Sequence, residues 1–281
     1  MFRKFRRKIR EQLKQPQFYP LMIFSTFVYL ISALVIRFLT NLETSIFLRY
    51  LSVSFQYRPF DIFFHSVGGG KWNDNRIMIV YGIGTLVFLL SGLFLFRVLA
   101  VIKKIGFKTR LTLTWLTFLA VHVLPLGMIS GAVLFDDFGI AYTWLFPEIW
   151  VRLILGLLAV ALCIFFRPFW IKLFLRTAYS SGFLHTIEAK KDFILRIFII
   201  PWIIGTLILL PFSWAGHHWT WFIYLLCLGL IVLPLFNPKF PKRNPRIVKS
   251  EGPPLLSIYS LILMVIIITG MLLTSLVRIE F

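Results

Sequence analysis

Seven stretches of this chain are apolar for about the length a helix needs to cross roughly 30 Å of hydrocarbon, some 20 residues. They run from about 20–40, 77–102, 111–135, 149–171, 195–213, 219–236 and 254–276. More than half of the 281 residues fall within them, which leaves no room for a sizeable soluble domain. Only 15% of residues are charged, against about 25% in a soluble domain. The sequence predicts an all-α integral membrane protein. Its architecture would be a seven-transmembrane-helix bundle, with residues 20–281 as a single polytopic membrane domain.

The loops give the orientation. Of the 30 Lys and Arg, 22 fall in residues 1–19, 103–110, 167–196 and 237–253, which the seven spans place on one side. Six fall on the other: Arg49, Arg58, Lys71, Arg76, Arg152 and Arg278. Cytoplasmic loops carry the excess of basic residues, so the N-terminus is expected in the cytoplasm and the C-terminus outside, in a cell (inner) membrane. The formal net charge of +19 is thereby accounted for by topology, and no nucleic-acid partner is expected. Residues 1–19 read as a basic amphipathic arm whose partners are anionic headgroups at the cytoplasmic face. The apolar run that follows is longer than a signal-peptide core and lacks an A-x-A-like site, so it reads as a retained first helix.

Residues 44–64 are apolar enough to resemble another span, but a crossing there would invert the basic loops downstream. Ser45, Arg49, Ser52 and Gln56 recur at one-helix-face spacing. An outer interfacial amphipathic helix ended by Pro59 is the expectation.

Chemical signatures are sparse. No His begins an H-E-x-x-H, Trp72 stands where a phosphate loop requires Ser or Thr after Lys71, and no G-x-S-x-G occurs. Cys163 and Cys227 lie in apolar runs, which supports neither a disulfide framework nor a cysteine zinc site. No cofactor is implied, no metal ligand set is assigned, and the reading leans away from an enzyme.

The third span departs most from a plain apolar helix. It carries an ionisable His122, Pro125 one turn later, and the small-xxx-small pair Gly127 and Gly131. Proline removes a helix hydrogen bond, so a kink near His122 is expected. The glycines would admit another helix closely. Asp136 and Asp137 follow at its outer end, with Glu148 and Arg152 at i and i+4 beyond a short loop. His122, Asp136, Asp137 and Arg152 are therefore the candidate path or polar site. His65, Glu148, His217 and His218 are the candidate outer-face ligands. His122 and Asp136 are 14 residues apart, about 21 Å along a helix, so they would mark a path and not a dyad.

Three functions fit this sequence, in this order. The first is a non-enzymatic polytopic membrane subunit that anchors or assembles a larger complex with protein partners in the membrane. The second is a small-solute or ion transporter with its path along the third helix. The third is an integral-membrane enzyme acting on a lipid or lipid-linked substrate at the outer face.

Overall fold

A computed structural model describes residues 18–53, 55–58, 61–64, 74–102, 105–132, 138–179, 181–215, 229 and 279–280. The described elements are almost entirely helical. They are α1 (Phe18–Tyr50), α2 (Asp74–Val101), α3 (Phe107–Gly131), α4 (Phe138–Leu145), α5 (Ile149–Leu175), α6 (Ile187–Ile194) and α7 (Ile200–Ala215). A π-helical turn, Leu195–Ile199, joins α6 to α7, so that Ile187–Leu210 forms one continuous rod, charged in its first turns and apolar beyond them. With that rod, five helices are long and apolar enough to cross a membrane, and the chain is a multi-pass membrane protein. They coincide with the first five expected spans. The sixth and seventh lie outside the described residues, apart from Gly229, which is helical, and so do residues 1–17 of the basic arm, whose last two residues open α1.

The expected outer amphipathic helix is not formed. Residues 44–50 continue α1 without a break, because nothing between Phe38 and Tyr50 is Gly or Pro. The chain then leaves the helix at Ser52, which takes a left-handed φ of 55°. Beyond it the side-chain period changes to two, and β1 (Phe55–Arg58) pairs antiparallel with β2 (Asp61–Phe64), Phe55 opposite Phe64 and Arg58 opposite Asp61. The C-terminal β3 (Ile279–Glu280) pairs with the other edge of β1, giving the order β2-β1-β3. A second difference lies between the third and fourth spans, where part of the expected short loop is helix α4.

Helix α3 is the hub, packed against α1, α2, α4 and α5. At its centre Trp115 is 0% exposed and meets Tyr29, Phe174 and Phe198 at ring-centroid distances of 4.9, 5.0 and 5.1 Å. Its indole N–H donates to Ser25 Oγ (3.0 Å), and Ser25 donates in turn to the Ile197 carbonyl (2.5 Å). Ile197 lies in the π turn, so tryptophan and serine from two separate helices reach that turn through one chain of hydrogen bonds.

Glycines set how near the other helices come. A Cβ on Gly92 of α2 would fall 2.8 Å from the Val121 backbone nitrogen of α3, closer than side chains tolerate, so α2 crosses α3 backbone to backbone beside His122. A Cβ on Gly131 would lie 2.8 Å from Gly139 Cα, which places the neighbour of that glycine in α4 of the same chain. Gly127 is buried, and its carbonyl accepts from Ser130 Oγ (3.2 Å).

Candidate functional site

Helices α2 and α5 both pack on α3, and a cleft of about 440 Å³ lies between them. Its floor is α3, through Val121, His122, Pro125 and Met128. One wall is α2, through Leu89, Leu93 and Phe96, and the other is α5, from Leu155 to Trp170. One end is closed by rings: Phe96 meets Trp170 edge-on at 5.6 Å, and Trp170 meets His122 at 5.1 Å. The rim residues Leu93, Leu158, Leu162, Phe166 and Phe169 are exposed. The cleft thus has an exposed, apolar rim. Its volume falls in the range of small-molecule pockets, about 300–1,000 Å³.

His122 is 2% exposed. Its Nδ1 lies 2.6 Å from the Phe118 carbonyl oxygen one turn back. A carbonyl only accepts, so Nδ1 carries the hydrogen, and the neutral ring keeps its lone pair on Nε2. Phe118 stacks on the ring at 4.4 Å. Helix α3 runs on through Pro125 to Gly131, so the proline leaves the helix unbroken in length.

Arg152 is 5% exposed near the start of α5. Its guanidinium donates to Thr143 Oγ1 of α4 (3.0 Å), and its carbonyl accepts from the Tyr142 hydroxyl (2.9 Å). Burial pushes the Tyr142 phenol above its usual range, with the Arg152 guanidinium pulling the other way. Glu148, the expected i,i+4 partner of Arg152, is exposed, and their contact is the Arg152 backbone N–H donating to the Glu148 carbonyl (3.3 Å). In the described structure Arg152 therefore fastens α4 to α5.

Among the expected site residues, Asp136, Asp137, His65, His217 and His218 lie outside the described residues. His122 and Arg152 are not brought together: one sits in the cleft floor, the other holds α4. Among the described residues no three His, Cys, Asp or Glu gather as a metal site would require.

Sequence reasoning passed over Trp170, Phe96 and Ala159, which shape the cleft. Their apolar character gives no signal, since lipid-facing and cleft-facing residues are alike in chemistry. Gly92 carried a usable signal, a small residue where a helix can approach closely. The chain matches no protein-family model, no curated protein and no solved structure.

Proposed function

We propose that this chain is a non-enzymatic multi-pass membrane protein that takes up the hydrocarbon part of a lipid in the lateral cleft between α2 and α5. The observation that carries this reading is a ligand-sized cleft that is apolar in nearly all its lining and rimmed by exposed apolar side chains. Apolar cavities exclude water, and in a bilayer the molecules at hand to fill one are lipid chains. A polar-solute or ion path gains no support there, because His122 is surrounded by Phe118, Trp170 and aliphatic side chains.

A photoactivatable diazirine placed within an acyl chain of phosphatidylglycerol tests this in vesicles. Label is expected on the α3 floor around His122 and Met128 as well as on the outer face of α5 at Leu157 and Phe165. Ala159 lines the cleft and is buried, so Ala159→Phe should fill it and reduce floor labelling severalfold while Phe165 stays labelled. Label confined to the outer face of α5 in the unaltered protein would refute the reading.

A second reading, a subunit of a larger membrane complex, rests on the exposed aromatic surface of α5 at Trp150, Phe165 and Phe169. In native membranes a partner seated there would shield Phe165 from the same probe.

The N-terminus is proposed to be cytoplasmic, supported by the distribution of basic loop residues. Single cysteines in place of Ser66 and Ser250, in a cysteine-free background, should label from opposite sides with an impermeant maleimide. Labelling of position 250 from outside would reverse the orientation.

A further inference from the structure

The polar chemistry inside the cleft narrows what can occupy it. His122 lies 15 residues from Phe107 and 9 from Gly131, about 22 and 14 Å along α3 at 1.5 Å per residue. It is therefore close to the middle of the helix, in hydrocarbon on either side. A phosphate or ammonium group at that depth would carry a heavy desolvation cost, so a group that meets His122 is uncharged. With Nδ1 committed to the Phe118 carbonyl at 2.6 Å, what the ring can offer a ligand is the Nε2 lone pair. Its complement is a hydrogen-bond donor. Next to it the lining is aromatic, with Phe96 and Trp170 meeting edge-on at 5.6 Å and Trp170 5.1 Å from the imidazole. Flat rings suit such walls, packing edge-to-face or offset at centroid distances of about 4.5–7 Å.

Resting on the lipid-uptake reading above, we infer that the cleft binds an uncharged lipid whose ring bears a hydroxyl, of the hydroquinone class, with the phenolic O–H donating to His122 and the hydrocarbon tail leaving between α2 and α5. The Trp170 indole N–H is a second polar group among the lining side chains, and a hydroxyl can accept as well as donate. The oxidised quinone has carbonyl oxygens, which only accept and therefore meet the Nε2 lone pair with no hydrogen between them. The Trp170 N–H can donate to an oxygen of either form, so His122 Nε2 alone discriminates, and it favours the reduced one. No electron transfer is implied, since the inference concerns binding alone.

The experiment is competition against the photoactivatable phosphatidylglycerol at the α3 floor, with decylhydroquinone, its dimethyl ether and decylquinone as competitors. All three share a ring and tail, and only the first can donate. Decylhydroquinone should displace the label at about five- to tenfold lower concentration than the ether or the quinone, the size expected for one buried hydrogen bond. His122→Phe keeps a flat ring without a nitrogen and should reduce that preference to about onefold, read from competition for label at Met128. Equal competition by all three compounds in the unaltered protein overturns the inference, and that comparison needs no variant to fold. Failure of all three to compete, with the floor still labelled by the acyl probe, also overturns it and leaves lipid uptake standing. Loss of floor labelling altogether would instead remove the reading on which it rests.

Discussion

Trp115→Ala should lower the thermal unfolding midpoint in detergent by on the order of 10 °C. The estimate follows from what surrounds the indole. It is fully buried and is held between rings of α1, α5 and the π turn at 4.9–5.1 Å. Between membrane helices there is no hydrophobic drive toward burial, so association depends on close packing and hydrogen bonds. Removing the ring forfeits those contacts and leaves a cavity, at a cost of about 3–5 kcal/mol in comparable cores. For a chain of this size each kcal/mol moves the midpoint by about 2–4 °C. Trp115→Phe retains most of the ring packing and loses the N–H to Ser25, while Ser25 still donates to the Ile197 carbonyl. That variant should lose only a few degrees. Heating each protein and following the monodisperse fraction by size-exclusion chromatography would order them. A shift under 2 °C for Trp115→Ala would show that α3 is not the hub of the packing.

What the sequence displays, and what it hides, follows from the range of the interactions involved. An apolar run long enough to span a membrane is a property of contiguous residues, so the first five helices were legible, although the first runs ten residues past its expected end and the fifth begins eight residues early. Residues 44–57 were misread because two periods overlap in them. Ser45 and Arg49 fit a helical face and lie in α1, whereas Gln56 belongs equally to the alternation of Phe55, Tyr57 and their neighbours, which becomes β1. His122 was legible as a candidate because an ionisable group in an apolar run stands out by composition alone. The cleft it lines was not, because its shape depends on where α2 and α5 touch α3. The α2 approach is made where a glycine backbone nearly meets its partner, Gly92 at Val121, and Gly156 of α5 leaves room for ordinary contact with Ala132 and the Met128 carbonyl at the end of α3. Arg152 was legible as a buried charge in need of partners, and spacing pointed to Glu148. The tertiary structure gives its guanidinium Thr143 instead, a choice that requires α4, a helix too short to register as a span.

The tightest approach in the described chain yields the other large effect. A Cβ on Gly205 of α7 would fall on the Tyr29 ring, reaching Cε1 at 2.6 Å and Cδ1 closer still. Tyr29 has no room to retreat. It is 0% exposed, its ring meets Trp115 at 4.9 Å, and its hydroxyl is 3.0 Å from Thr206 Oγ1. A single added methyl must therefore move a ring that is fixed at both ends, or push α7 away from α1. Overpacking by one or two methylenes in a well-packed core costs about 1–3 kcal/mol, and more where the neighbours are rigid. Gly205→Ala should destabilise the protein at the upper end of that range, and Gly205→Leu should prevent recovery of a monodisperse protein. The cause can be isolated with a double-mutant cycle. Tyr29→Ala alone is destabilising, because it opens a cavity and leaves Thr206 without its partner, but it clears the space beside Gly205. In that background Gly205→Ala should cost little or nothing, a departure from additivity of 2 kcal/mol or more, within the range of about 0.5–3 kcal/mol found for residues in contact. Additive losses would mean that the methyl collides with something other than Tyr29, and that the α1–α7 contact is not set by this glycine.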